Sequence, residues 1–371
     1  MDTSSSIQWL TPDELTAPLQ RLAGTDARLC GDWTVDQFKR GRGDGLGTWR
    51  LAGEMEASSG REEWSMVLKG WTCGDGSGSP LAYNWPWRET DLYTSGLLED
   101  LPDIAAPTCF HCVEQNDSVW VWLEDLTGVP QEPWTLERYG EAALLMGRFN
   151  GAYLGNRPMP VHPCLSQQWL EGWSADGADS LRMLDEYRDD PYVQQMISPD
   201  VEAALVHTWN RRPAVLDRLA AMPQTFCHLD AFHANAFFRE TGSARELVLI
   251  DWSFAGRAAI GEELAALCVA GIIFDPNTPY RFEDIEQVAF NAYVSGLRDS
   301  GWRGADEAVW DTYRSAAILR YGLAPLIRML PIMTNELARA AFAEALGADV
   351  DQAKDLLIRH YRWIAEHAYE L

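Results

Sequence analysis

The chain has 371 residues, enough for two modest domains or one large two-lobed domain. Fifty-five Asp and Glu residues against thirty Lys and Arg residues leave a formal net charge of −25, with histidine counted as neutral. A field of that sign repels a phosphate backbone, so we do not expect a nucleic-acid partner. The same field attracts a cationic small molecule, although acidity also serves solubility alone.

The first third of the chain predicts a mainly β region. Thr11, Pro12 and Glu14 have the pattern of a capped helix start, which predicts a short helix through Leu22. A second helix is predicted over 88–98, where side chains recur at three-residue spacing. Five β-like runs are bounded by turn residues, at 33–38, 48–52, 64–69, 108–114 and 119–123.

After residue 126 the pattern becomes helical. Thr135 can cap a long amphipathic helix, because apolar side chains follow it at helical spacing. Two β-type segments between Cys227 and Asp251 interrupt the helical region. Further helices are predicted over 199–221, 282–300, 305–330 and 349–371.

Cysteine usage and apolar runs bear on the compartment. Seven scattered cysteines do not form the pattern of a disulfide framework, and reduced thiols fit better. Cys109 and Cys112 form a single Cys-x-x-Cys pair, for which packing is a more common role than zinc or redox chemistry. The first six residues lack the runs of a signal peptide, and the longest apolar stretch, 264–274, is too short to span a bilayer. We therefore expect a cytoplasmic protein without membrane contact.

The strongest chemical signal is the segment CHLDAFHANA at 227–236. It contains Asp230 and, five positions later, Asn235, and the apolar run after it ends at Asp251. Phosphoryl transfer from ATP needs a carboxylate beside the acceptor hydroxyl and oxygen ligands for Mg²⁺. A loop holding Asp230 and Asn235 can supply one of each, and Asp251 can supply a metal carboxylate. Such a sparse set suits Mg²⁺, which keeps water and phosphate oxygens among its ligands.

These motifs resemble the catalytic loop and metal-binding strand of the aminoglycoside phosphotransferase and choline kinase superfamily. That family has His-x-Asp-x-x-x-x-Asn, then a short hairpin, then Ile-Asp-Trp. The resemblance implies Asp230 as catalytic base, Asn235 and Asp251 as Mg²⁺ ligands, and His228 as a structural organiser of the loop.

The resemblance also implies an α+β, two-lobed protein-kinase-like fold. The small, mainly β N-terminal lobe would span residues 1–125 and bind the nucleotide. The larger helical lobe, residues 126–371, would carry catalysis and acceptor binding. Because no long linker separates them, we expect the lobes to pack around a cleft.

The N-terminal half matches the same family. Lys69 ends the third strand, where kinase-like folds place the lysine that binds the α- and β-phosphates. Glu89 begins the next helix, where the family has the glutamate that pairs with that lysine. Gly43 and Gly45 lie in a glycine-rich loop, 41–47, which would cover the phosphates.

The run Val121–Leu126 resembles the hinge between lobes, where Glu124 and Leu126 would meet adenine. The glycine spacing differs from that of protein kinases, and no Asp-Phe-Gly, Ala-Pro-Glu or His-Arg-Asp string stands at the expected sites. These departures favour a small-molecule kinase. Glu263 stands where the family often has Asp, so this chain holds the loop with a longer carboxylate.

We therefore expect an enzyme that uses ATP and Mg²⁺ to phosphorylate a hydroxyl of a small molecule. The acidity favours a cationic acceptor, such as an aminoglycoside or an amino alcohol. A sugar or amino-acid kinase of the same fold and a non-catalytic nucleotide-binding protein are the alternatives. Five aromatic residues are candidates for a cage around a cation, although such spacing is more typical of core: Trp169, Trp173, Tyr187, Tyr192 and Trp209.

Overall fold

The computed structural model describes residues 7–40, 45–73, 79–115, 117–130, 132–167, 169–242, 244–270 and 273–371. The strands are β1 Arg28–Arg40, β2 Gly45–Ala57, β3 Gly60–Thr72, β4 Ile104–Ala105, β5 Cys109–Gln115, β6 Ser118–Glu124, β7 Gln224–Cys227, β8 Ala236–Thr241, β9 Ala244–Leu249 and β10 Gly256–Ala259. The helices are α1 Thr16–Ala23, α2 Arg88–Thr94, α3 Leu136–Ala152, α4 Trp169–Ser174, α5 Gly177–Glu186, α6 Pro191–Met196, α7 Pro199–Ala221, α8 Glu263–Ala265, α9 Phe282–Asp299, α10 Asp306–Tyr321, α11 Leu326–Met333, α12 Glu336–Ala345 and α13 Val350–His367. A π-helical turn, Ala266–Ala270, follows α8, and short 3₁₀ turns cover His233–Asn235, Trp252–Phe254 and Ala368–Glu370.

The N-terminal region is an antiparallel sheet with the strand order β1-β2-β3-β6-β5. One face of the sheet is covered by α1 and forms a core of its own, rich in tryptophan. Trp49, Trp120 and Trp122 are buried there against Leu15 and Leu19. The apolar alternation along β2 and β3 explains this packing, since side chains on one face of a strand recur every second residue.

The rest of the chain is mainly helical and is built around α3, which packs along α9. Thr135 caps α3, because its hydroxyl accepts a hydrogen bond from the backbone nitrogen of Arg138 at 3.3 Å. Two small sheets are embedded in this region. The hairpin β8–β9 pairs with β4 in parallel, and β7 pairs with β10. The hairpin delivers Asp251 to the side of the larger sheet.

The predicted fold class is confirmed, since a β-sheet region precedes a helical region. Three helix bounds of the prediction were wrong. Residues 12–15 form turns and α1 begins only at Thr16, with Leu15 before it making no side-chain capping bond. The helix predicted over 88–98 ends at Thr94. The single helix predicted over 305–330 is broken into α10 and α11 by turns at 322–325. The lobe boundary at 125 stays a prediction.

No single helix within the described ranges is long and apolar enough to cross a membrane. The bent pair α10 and α11, with 46° between its members, passes that test jointly by length and composition alone.

Candidate active site

The loop after β7 is organised by His228, whose side chain is fully buried. Its Nδ1 accepts a hydrogen bond from the backbone nitrogen of Asp230 at 3.1 Å, and its Nε2 donates to the Ile250 carbonyl at 3.0 Å. Burial lowers the pKa of His228 to about 4, so the ring is neutral. One imidazole therefore ties the Asp230 loop to the strand end that precedes Asp251.

Leu229 adopts a left-handed backbone conformation, with φ 68°, which is unfavourable for a residue with a side chain of this size. The buried carboxylate of Glu263 accepts hydrogen bonds from the backbone nitrogens of His228, at 2.8 Å, and Leu229, at 2.9 Å. These bonds hold the strained turn in place. The longer carboxylate that distinguishes this sequence thus fixes the loop through its backbone.

Both carboxylate oxygens of Asp230 are engaged. Its Oδ2 accepts from Asn235 Nδ2 at 2.9 Å, and its Oδ1 accepts from Arg320 Nη2 at 2.6 Å. Burial raises the pKa of Asp230 to about 7, against the opposite effects of Arg320 and Asn235. Sequence patterns did not single out Arg320, because it lies far along the chain in α10 and outside any motif.

Lys69 lies between two carboxylates from different parts of the molecule. Its Nζ is 2.6 Å from Glu89 Oε2, in α2, and 2.9 Å from Asp251 Oδ1. Burial alone would lower the pKa of Lys69, but Asp251 and Glu89 outweigh it and raise that pKa, so the ammonium stays charged. Burial also raises the pKa of Glu89. Asp251 has φ 64°, which turns the chain sharply at the end of the hairpin.

Two cavities adjoin Lys69, Glu89 and Asp251, and all three residues line both. The smaller, about 140 Å³, is walled mainly by apolar side chains: Val67, Leu123, Leu126, Phe237 and Ile250. The larger, about 580 Å³, has more polar and aromatic walls: Gly45, Tyr83, Trp85, Trp173, Ser253 and Arg328.

The predicted nucleotide-binding residues are distributed over these cavities. Glu124 and Leu126 line the smaller one and Gly45 the larger, whereas Gly43 lies outside the described residues. The Glu124 carboxylate pairs with Arg239, and its backbone nitrogen donates to the Thr108 carbonyl at 2.8 Å. The Glu124 nitrogen is thus engaged within the protein.

The donor set beside Lys69 is compatible with Mg²⁺. Asp251 offers a carboxylate. The side-chain nitrogen of Asn235 donates to Asp230, which leaves the amide oxygen of Asn235 as an acceptor. The backbone nitrogen of Ile250 donates to the Asn235 carbonyl at 2.9 Å, which fixes the two donor positions relative to each other. Hard oxygens in small number suit Mg²⁺. Among the described residues no cluster of three or more His, Cys, Asp or Glu side chains suggests a metal site.

The proposed aromatic cage is not supported. Trp169 and Trp173 stack on each other with ring centroids 5.5 Å apart. The protein's own arginines lie over four of the five rings: Arg320 over Trp169, Arg328 over Trp173, Arg339 over Tyr192 and Arg212 over Trp209. These contacts compete with any ligand cation for the same ring faces.

Comparison with known proteins gives the class of the chain. A family model described as the phosphotransferase enzyme family matches residues 94–302, more than half of the chain. The chain belongs to this family and is a phosphotransferase with a kinase-like fold. No curated protein matches the sequence.

Several solved structures are similar to the chain at low sequence identity. A microcompartment-associated aminopropanol kinase is 14% identical, with a TM-score of 0.54 over 92% of this chain and 94% of that chain. An ethanolamine kinase from Plasmodium vivax is 12% identical, with a TM-score of 0.49 over 99% of this chain and 85% of that chain. An amicoumacin kinase in complex with AMP-PNP, Ca²⁺ and Ami is 14% identical, with a TM-score of 0.49 over 86% of this chain and 88% of that chain.

Proposed function

We propose that the protein transfers the γ-phosphate of ATP, with Mg²⁺, to a hydroxyl group of a small molecule. The observation that carries this proposal is the position of Lys69, which joins Glu89 of α2 to Asp251 beside the Asp230–Asn235 loop. Lys69 and Asp251 line the same two cavities, and His228 ties the Asp230 loop to the strand end before Asp251. A charged lysine, a metal-type carboxylate and a loop carboxylate are the groups that phosphoryl transfer uses.

The nucleotide would occupy the two cavities that meet at Lys69. Apolar walls and the neighbouring strand end at Glu124 suit a planar base in the smaller cavity. Lys69 would contact the phosphates from the larger cavity, where Gly45 allows close approach of backbone. Asn235 and Asp251 would hold Mg²⁺, which neutralises charge that develops on the phosphates when it is bound.

Asp230 would act on the acceptor. As the acceptor oxygen bonds to the γ-phosphorus, the bond to the bridging oxygen of ADP breaks and the hydroxyl proton passes to Asp230. His228 and Glu263 would keep the loop in the conformation that presents this carboxylate.

We further propose that the acceptor is cationic, which the net charge of −25 supports. The likeness to an aminopropanol kinase adds amino alcohols to the compounds worth testing. A panel of aminoglycosides, amino alcohols, hydroxy amino acids and neutral sugars, followed by ADP release, separates these classes. If only neutral sugars are phosphorylated, the argument from charge was wrong.

The central experiment replaces Asp230 by Asn. We expect turnover to fall by about 10²- to 10⁴-fold, the usual contribution of a general base, while ATP binding persists. Glu286→Gln is the matched control, since Glu286 is also a buried carboxylate paired with an arginine but lies on α9. Unchanged turnover in Asp230→Asn would remove Asp230 from the mechanism. Stabilisation of the wild type by ATP without transfer to any acceptor would favour a non-catalytic nucleotide-binding protein.

A further inference from the structure

Arg320 reaches the catalytic loop from α10, a helix outside the residues that match the family model. Its side chain is almost fully buried, with 4% of the residue exposed. One guanidinium nitrogen, Nη2, donates to Asp230 Oδ1 at 2.6 Å, and the other, Nη1, donates to the Leu229 carbonyl. The same planar group therefore binds both the backbone of the strained turn and the carboxylate after it.

Aromatic rings hold the guanidinium of Arg320. Its Cζ lies 4.4 Å from the ring centre of Trp169, 5.0 Å from that of Tyr321 and 5.9 Å from that of Phe254. The backbone carbonyl of Arg320 accepts a hydrogen bond from Trp173 Nε1 at 2.8 Å. Both ends of the residue are thus fixed, which is the condition for a side chain to impose a position on another group.

The turn at Leu229 is held from two sides. Its backbone nitrogen donates to Glu263, on α8, and its carbonyl accepts from Arg320, on α10. A left-handed conformation at such a residue persists only where its surroundings impose it. The orientation of Asp230, the next residue, depends on this pair of contacts.

We propose that Arg320 is a positioning residue for phosphoryl transfer, fixing the Asp230 carboxylate toward the acceptor hydroxyl; this rests on the proposed function. With Oδ1 bound by Arg320 and Oδ2 bound by Asn235, the carboxylate cannot turn about its own axis. Each oxygen retains a second lone pair with which to receive the hydroxyl. Lysine cannot replace the arginine fully, since a single ammonium does not span a carbonyl and a carboxylate in one plane.

The test compares Arg320→Met and Arg320→Lys with a matched control, Arg314→Met. Arg314 lies on the same helix, has Cζ 4.5 Å from the ring centre of Trp310, and pairs with Glu286 at 3.3 Å and Glu370 at 2.8 Å. We expect Arg320→Met to lower kcat by about 10²-fold with little change in the KM for ATP, and Arg320→Lys to recover part of kcat. Arg314→Met should lower Tm but leave kcat within about twofold of wild type.

A double-mutant cycle with Asp230→Asn separates positioning from a general structural effect. If Arg320 acts through Asp230, Arg320→Met costs little further kcat once Asp230 is Asn. Independent, multiplicative losses would overturn the proposal, as would a folded Arg320→Met enzyme with kcat within about twofold of wild type. If Arg320→Met does not fold, Arg320→Lys and Arg320→Gln replace it in the same cycle. Non-additive losses of kcat would then support the proposal, and multiplicative losses would overturn it.

The four proteins of the cycle are the wild type, Arg320→Met, Asp230→Asn and the double variant. Measuring their unfolding tests the role of Arg320 separately from the proposed function. Coupling between Arg320 and Asp230 in Tm and in urea unfolding is expected whether or not an acceptor is found, because the contact exists in the free protein. If the wild type transfers phosphate to no acceptor, the proposed function fails and the catalytic role of Arg320 fails with it. Full transfer activity combined with absent coupling would overturn only the role of Arg320.

Discussion

The imidazole of His228 is held in one neutral tautomer by two backbone groups. Because the Asp230 amide donates to Nδ1, the ring proton is on Nε2, which donates to the Ile250 carbonyl. A second proton, on Nδ1, would point at an amide hydrogen inside a fully buried site. Burial already lowers the pKa of His228 to about 4, from an ordinary value of 6.5. Protonation of this residue is therefore coupled to unfolding.

The pH dependence of stability follows from that shift. Between pH 6.5 and about 4 the unfolded chain binds the proton at His228 and the folded chain does not, so acid lowers the free energy of unfolding. The difference between these two pKa values corresponds to about 3 kcal/mol of stability. Urea denaturation at pH 7 and pH 4.5 should show a smaller loss for His228→Gln than for the wild type. Equal losses would contradict the prediction, since other titrating groups are common to both proteins.

The residues around His228 show what local patterns can predict. His228, Asp230 and Asn235 were singled out because their spacing along one loop is itself the signal, and Asp251 because an apolar strand ends there. Arg320 was not found, since its contact depends on how α10 packs over the loop and no spacing records that packing. Contacts made across the fold between distant segments are the part that single-sequence patterns omit.

Helices α3 and α9 approach each other closely at two glycines. A Cβ at Gly147, in α3, would lie 2.2 Å from the Tyr293 carbonyl oxygen, and one at Gly296, in α9, would lie 2.1 Å from the Leu144 carbonyl oxygen. The contact supports the catalytic loop, because the Tyr293 hydroxyl donates to Asn150 at 2.7 Å. Asn150 in turn donates to the carbonyl of Phe226 in β7 at 2.8 Å.

Gly147→Ala should therefore destabilise the protein. The added methyl group meets backbone on the facing helix, so the helices must separate, and overpacking of this kind costs about 1–3 kcal/mol. Gly140→Ala in the same helix is the control, because its Cβ would meet only side chains, Val288 at 3.1 Å and Ala292 at 3.9 Å, and alanine favours helix. Urea denaturation measures the free energy of unfolding of both variants. Equal stability of the two variants would show that the α3–α9 contact yields to a methyl group.

The bounds of an element could be predicted where a local sequence signal sets them. The prediction failed where that signal was overlooked or where none exists. Pro199–Ala221 was predicted to the residue, since Ser198 caps its start and proline takes the first position. The predicted helix over 305–330 is broken because Pro325 disfavours helical backbone at the residue before it. Near the start of the chain, the cap-type residues at Thr11–Glu14 are followed by turns, and helix α1 begins at Thr16.

At the scale of the molecule, the site is assembled from its two kinds of structure. The sheet region supplies Lys69, the helical region supplies Asp230 and Asp251, and the ion pair between Lys69 and Asp251 joins them. The chain around this site is strongly acidic, with a net charge of −25. ATP, an anion, must therefore approach against the overall field, whereas a cationic acceptor is attracted by it.

Salt should consequently act on the two substrates in opposite directions. Raising ionic strength from about 0.02 to 0.3 M shortens the Debye length to less than the size of the protein, which screens the overall field. We expect kcat/KM for a cationic acceptor to fall by about tenfold, because its attraction to the protein is screened. The KM for ATP should also fall, which means better use of ATP, because the repulsion between ATP and the acidic protein is screened. Steady-state kinetics with a neutral hydroxyl acceptor provides the control, whose kcat/KM should change little. A cationic acceptor as insensitive to salt as the neutral one would mean that the acidity serves solubility, and that acceptor choice is made by local contacts beside Asp230 alone.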